Sequence, residues 1–167
     1  MSVSDHRRTA PASVRCAVVT ISDTRTAATD TSGRAMADLL ASAGHHVAAR
    51  SLVPDDATRV RSTLEDLLAR TDLDAVLTTG GTGITSRDGT YEVVEALIDK
   101  FLHGFGELFR MLSYADIGPA AMLSRACAGL ARGKILVSMP GSEAAVRLAM
   151  EKLVLPELGH LVREARR

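Results

Sequence analysis

Ala75-Val76-Leu77-Thr78-Thr79-Gly80-Gly81-Thr82-Gly83-Ile84-Thr85-Ser86-Arg87-Asp88 passes from an apolar run straight into glycines, hydroxyl residues and an Arg-Asp pair. A short buried strand that opens into Gly and Thr is how α/β folds build an anion-binding loop. Glycine lets the backbone come close to a phosphate, and N–H groups and hydroxyls then donate to it. A Gly-Gly pair alone is most often an ordinary turn. Three glycines within Gly80 to Gly83, with an acid close behind, point instead to a site.

On either side of this run, strand and helix patterns alternate. Val14 to Ile21 is almost wholly apolar and β-rich, as a strand buried on both faces must be. A polar loop follows, then a helix with Ser32 as its expected N-cap. That helix carries Ala35, Met36, Leu39, Leu40 and Ala43 on one face and ends at Gly44. His46 to Val53 reads as a strand. Pro54-Asp55-Asp56 starts a helix with an apolar stripe at Val60, Leu64, Leu67 and Leu68. Leu73 to Thr79 is the third strand. Val93 to Phe101, Phe105 to Tyr114 and Ala120 to Arg125 have helical spacing. Cys127 to Leu130 reads as a short strand and Lys134 to Met139 as a clear one. A long helix begins at Glu143, with Pro156 kinking or restarting it. This order implies right-handed crossovers and a three-layer α/β/α domain on a mainly parallel sheet. One domain over residues 13–167 is expected, behind a disordered tail over 1–12.

Composition narrows the function classes. The 167 residues are 46% apolar and 24% charged, with 20 basic and 20 acidic side chains, so no net field steers the chain to nucleic acid or membrane. Aromatics are only 3% with no Trp, which disfavours a base-stacking platform. Cys16 and Cys127 form no CxxC and have no His at ligand spacing, so they read as reduced core residues rather than a zinc site. No apolar stretch reaches membrane-spanning length, and residues 1–12 lack a secretory h-region. A cytoplasmic protein is the expectation.

Four polar segments fall at the carboxyl ends of strands: Ser22-Asp23, Pro54-Asp55-Asp56, Thr79 to Asp88, and Pro140-Gly141-Ser142. In a parallel sheet those ends share one edge, where ligands bind. Gly80 to Gly83 suits a phosphate. Ser142 is either a plain helix cap or a second anion contact. Asp23, Asp55, Asp56 and Asp88 bring carboxylates to the same rim, and one of Asp55 and Asp56 is expected to cap the following helix. An anion cradle flanked by acids calls for a bridging cation, and Mg²⁺ held by a few carboxylates and substrate phosphates is the usual solution. Arg87 is either a phosphate clamp or a surface charge. Arg125 either clamps phosphate or pairs with Glu107. No GxxxxGK[ST], GxGxxG, GxSxG or HExxH is present, so P-loop, dinucleotide-binding and nucleophile-elbow chemistry are disfavoured.

Taken together, these residues resemble the MoaB/MogA family of molybdenum cofactor biosynthesis, with a lean to the MoaB branch. The resemblance rests on Thr79-Gly80-Gly81-Thr82-Gly83, Arg87-Asp88, Thr90, Glu92, Ser22-Asp23, Asp30-Thr31-Ser32-Gly33, Val53-Pro54-Asp55-Asp56, Gly104 to Arg110, Ala121 to Arg125, and Met139 to Ser142. It runs in order from about Val14 to about Leu158. Tyr91 departs from the Thr-Pro-Glu that many relatives carry at this point.

The resemblance implies a MogA-like, molybdopterin-binding fold and an adenylyltransferase that uses Mg²⁺ and ATP as co-substrate, with no tightly bound prosthetic group. It assigns Asp55 and Asp88 as catalytic acids that hold Mg²⁺ through substrate phosphates. It places Ser22, Asp23, Thr79, Gly80, Gly81, Thr82, Gly83, Arg87, Pro140, Gly141 and Ser142 on nucleotide and pterin phosphate, with Glu107, Ser124 and Arg125 lining or bracing the pocket. The implied partners are molybdopterin, ATP, a molybdate-inserting cofactor protein, and further copies of the chain as a trimer or hexamer. The alternative is a non-catalytic molybdopterin-binding or carrier module of the same pathway.

Overall fold

The computed structural model describes residues 8–167. The six strands are β1 (Arg15–Ile21), β2 (His46–Val53), β3 (Ala75–Thr79), β4 (Lys100–Phe101), β5 (Cys127–Ala131) and β6 (Lys134–Met139). They form one sheet in the order β2-β1-β3-β6-β5-β4. The pairs β1/β2, β1/β3 and β3/β6 are parallel, and β6/β5 and β5/β4 are antiparallel. β5 alone is therefore reversed, and the sheet is mainly parallel as expected.

Among the described residues the main helices are α1 (Thr31–Ser42), α2 (Ala57–Ala69), α3 (Thr90–Leu97), α4 (His103–Ile117), α5 (Glu143–Ala149) and α6 (Leu155–Ala165). Alternation along the strands sorts side chains to two faces. Val18, Leu77 and Val137 pack with Met36 and Leu40 of α1, Phe109 of α4, and Val146 and Leu158 of α5 and α6. Val19, Val76 and Leu136 pack with Val60 and Leu64 of α2 and Val93 and Val94 of α3. The result is a three-layer sandwich with two cores. Cys16 and Cys127 are free and buried within it, and burial pushes their thiols up to about 12 and about 11, so both stay protonated.

Several local expectations are corrected. Asp30, not Ser32, caps α1, accepting the Gly33 N–H at 2.9 Å. α3 stops at Leu97 rather than running to Phe101. The Asp99 N–H turns to the Leu130 carbonyl at 2.7 Å and the Leu102 N–H to Ala128 at 2.8 Å, so edge pairing displaces a helical turn. α4 begins at His103, and Gly118–Leu123 forms a 3₁₀ turn. The β5–β6 hairpin turns on Arg132 and Gly133, with φ of 48° and 77°, the paired positive values that suit strand twist. Between α5 and α6, Met150–Val154 winds as a π segment. Pro156 has no N–H to donate and sits in the first turn of α6, so the helix restarts there.

The expected tail over 1–12 lies outside the described residues as far as Arg7. Within them, Ala10 and Pro11 rest on α6, where a Cβ on Gly159 would come within 2.7 Å of the Pro11 carbonyl oxygen. At the amino edge of the sheet, buried Asp74 accepts Arg15 Nη2 at 2.8 Å and Arg166 Nη2 at 2.6 Å, which ties α6 to β1 and β3. No helix among the described residues is long and apolar enough to cross a membrane.

Candidate active site

The carboxyl ends of β1, β2, β3 and β6 meet at one edge, and a set of hydrogen bonds joins the loops that leave them. The Gly80 N–H donates to the Met139 carbonyl at 3.0 Å, and the Thr79 hydroxyl to the Pro140 carbonyl at 2.9 Å. Gly80 (φ 95°) lies so close to β1 that a Cβ would overlap the Ile21 carbonyl. Gly81 (φ 66°) sits against the side chain of Thr90. Positive φ and absent space both require glycine at these two positions.

The carboxylates are linked across the loops. The Thr90 hydroxyl donates to Asp55 Oδ1 at 2.7 Å, and the Asp55 N–H donates to Asp23 Oδ1 at 2.9 Å. Asp56 takes the capping role, accepting the Arg59 N–H at 2.9 Å. That leaves Asp55, half-buried, without a capping role. Asp88 accepts the Thr85 N–H at 2.6 Å, and a Cβ on Gly83 would overlap its carboxylate. Hydrogen bonding from Thr85 holds the Asp88 carboxyl below its ordinary range, so it stays ionised.

Arg125 sits at the start of β5 and grips the outer half of the glycine loop. Its guanidinium donates to the Thr82 carbonyl at 3.2 Å and to the Gly83 carbonyl, pairs with Glu92, and lies 4.6 Å over the Tyr91 ring. With these carbonyls held, the N–H groups of Gly81, Thr82 and Gly83 donate to nothing among the described residues. Three orphan donors on a loop beside the Asp55 and Asp88 side chains are an arrangement that can accept an anion.

Not every residue singled out from sequence reaches the mouth with a free group. The Thr79 hydroxyl is buried and spent on Pro140. Ser142 caps α5 through the Ala145 N–H at 3.1 Å. The Ser22 hydroxyl closes its own turn, accepting the N–H groups of Thr24 and Arg25 at 3.2 and 3.1 Å. Arg87 is exposed beside Asp88. The Ser124 hydroxyl is buried and has no hydrogen-bond partner among the described residues. Glu107 is exposed on α4 and forms no ion pair with Arg125, whose partner is Glu92.

Two residues to which sequence reasoning gave no site role matter here. Arg25 reaches from the β1 loop to the Gly141 carbonyl at 2.9 Å and the Ser32 hydroxyl at 2.8 Å. Thr90 supplies the bridge to Asp55. Below them, Asp30 is buried. Burial alone would raise its carboxyl, but the Arg50 guanidinium, the Gly33 N–H and the Thr20 hydroxyl lower it overall.

No group of three or more His, Cys, Asp or Glu side chains among the described residues could hold a metal alone. A pair of carboxylates beside unpaired backbone donors does fit Mg²⁺, which prefers one or two carboxylates completed by substrate phosphates.

Fold and site together define an α/β domain whose carboxyl edge gathers a glycine loop with unpaired N–H groups and the side chains of Asp55 and Asp88. Residues 17–160 match the family model described as a probable molybdopterin binding domain. Over its full length the chain is 55% identical to molybdenum cofactor biosynthesis protein B of Bacillus cereus, covering 99% of that protein. A crystal structure of a molybdenum cofactor biosynthesis protein B superposes with a TM-score of 0.91 at 54% identity, over 95% of this chain and 99% of that one. The tungsten cofactor synthesizing protein MoaB from Pyrococcus furiosus superposes at 0.84 with 38% identity, over 95% and 100%. The chain belongs to the MoaB/MogA family of molybdenum cofactor biosynthesis proteins, and its domain is of the molybdopterin-binding type.

Proposed function

We propose that the chain binds molybdopterin and transfers AMP from Mg-ATP to its terminal phosphate. A non-bridging oxygen of that phosphate attacks the α-phosphorus of ATP, and the bond from the α-phosphorus to the α–β bridging oxygen breaks. Pyrophosphate leaves with the electron pair. An ionised phosphate needs no general base, which suits a mouth without histidine. The work left to the protein is positioning and charge stabilisation. The orphan N–H groups of Gly81 to Gly83 bind phosphate oxygens, while Asp55 and Asp88 hold Mg²⁺. When bound, the ion offsets negative charge on the phosphates.

The observation that carries this reading is the bond from Thr90 to Asp55. It fixes one acid relative to the loop that bears the other. The test is incubation with molybdopterin and Mg-ATP, reading pyrophosphate release, for the chain and for Asp55→Ala. Release by the first and not by the second is expected. Binding of molybdopterin without release would leave a carrier.

The reading includes self-association. Leu108, Met111, Tyr114, Ile117, Met122 and Leu123 are exposed along α4 and the 3₁₀ turn after it. A continuous apolar flank of this kind marks an interface. Equilibrium sedimentation should show a trimer or hexamer, and Met111→Glu should reduce it to monomer.

A further inference from the structure

Val14 stands one residue before β1 and so lies at the amino edge of the sheet, across the molecule from the glycine loop. It is fully buried, and its N–H donates to His45 Nδ1 at 3.2 Å. The end of α1 fixes the acceptor. There Gly44 takes φ 84°, its N–H returns to the Ala41 carbonyl at 3.0 Å, and the His45 N–H returns to the Leu40 carbonyl at 2.9 Å. This double closure holds the backbone that carries the ring. The His46 N–H then donates to the Val14 carbonyl at 2.9 Å. A ring nitrogen that accepts carries no proton, so the proton of neutral His45 sits on Nε2.

Val14 is also where the segment before β1 is tied down. Ala10, Pro11, Ala12 and Ser13 make no hydrogen bond among the described residues. They rest on α6 by contact alone, with the Pro11 carbonyl against Gly159. The segment forms one wall of a cleft of about 450 Å³, whose other walls are Ala43 and His45 at the end of α1 and Leu155, Pro156 and His160 of α6. The charged and titratable groups around the ring come from four elements. Arg8 belongs to the segment, and His160 of α6 pairs with Glu157 at 2.9 Å. His46 is exposed at the start of β2, and Arg15 of β1 is turned to Asp74. Burial holds the His45 ring below its ordinary range.

We propose that His45 is a proton-operated clasp for residues 10–13. Protonation puts a hydrogen on Nδ1, directly opposite the Val14 N–H, and the bond becomes two donors facing each other. A buried backbone donor is costly to leave unpaired. Ring and segment therefore part, and the cleft between α1 and α6 opens to solvent. The closed arrangement takes up the proton less readily than the open one. The clasp is thus complete above the ordinary histidine range of about 6.5 and is lost as pH falls through the lowered value. It does not depend on what binds at the carboxyl edge.

The test is hydrogen exchange of the Val14 amide in the full chain, read as protection relative to the free-peptide rate at each pH, beside an NMR titration of the histidine rings. Between about pH 7 and about pH 5, protection should fall about tenfold or more, with the midpoint of the His45 ring. Amides at Val18 and Leu77 should stay protected throughout, which separates release of the segment from unfolding. His45→Asn offers a side-chain oxygen near the Nδ1 position that does not titrate, so Val14 should stay protected at both ends of the range. His45→Ala should leave it unprotected at both. His160→Gln should leave the transition where it was. Flat protection in the unaltered chain, a midpoint that follows His160, or a pH dependence that persists in either His45 variant would overturn the clasp.

Discussion

The Thr90 hydroxyl donates at 2.7 Å to the Asp55 carboxylate, joining the first residue of α3 to the loop after β2. Thr90 follows Asp88 by two residues and is fully buried. This bond therefore sets how the two acids stand towards each other.

Thr90→Val keeps the shape and deletes the bond. Adenylyl transfer should fall about 10²-fold as Asp55 loses its orientation, with a Tm lowered by only a few degrees. Thr90→Ser should restore most of the rate. Full turnover in Thr90→Val would show that the bond is structural only.

Asp88→Asn isolates charge from shape, because an amide oxygen can still accept the Thr85 N–H. The fold and the loop should persist while pyrophosphate release drops by about 10²–10³-fold. Near-normal turnover would remove Asp88 from the chemistry.

Arg125→Lys retains one positive charge but cannot both stack on Tyr91 and reach two carbonyls and Glu92. The expected result is a raised KM for ATP with a smaller change in kcat. Faster proteolysis within residues 82–88 should accompany it. Unchanged cleavage would mean the loop is held by other contacts.

Asp74 gives a pH signature away from the mouth. Burial on its own would raise its carboxyl, but the Arg15 and Arg166 guanidinium groups win and bring it from 3.8 down to about 2. A carboxylate lowered by folding adds stability above its unfolded value and loses it as pH falls through the folded one. The contribution is about 2 kcal/mol, present above about pH 4 and lost towards pH 2. Urea unfolding of Asp74→Asn should show lower stability at neutral pH and a flatter decline across that acid window. Curves parallel to the unaltered chain would refute the pairing.

Much of this was legible in the chain because it depends on local rules. Apolar runs at period two or 3.6 give the strands and helices, and a parallel order sends Asp23, Asp55 and Gly80 to one edge. What escaped depends on distant partners. Arg25 is a lone arginine in a threonine-rich loop, and its carbonyl partner, Gly141, is far along the chain. β4 hides in Val93 to Phe101 because the apolar spacing there satisfies a helix, and only pairing with β5 overrides it. Arg132 at positive φ carries no Asn-Gly signature, so the hairpin that reverses β5 gave no local sign. Glu92 and Glu107 are equally plausible partners for Arg125 in sequence, and folding alone chooses between them.

That single reversed strand has a further effect. The other strands reach the ligand edge only where they finish, and each passes on to a connection that must travel away from it. β5 arrives there before it begins, so the segment Ser124 to Ala126 is delivered from the opposite direction, already anchored to a helix behind it. The sheet thereby places a brace beside the glycine loop without lengthening it.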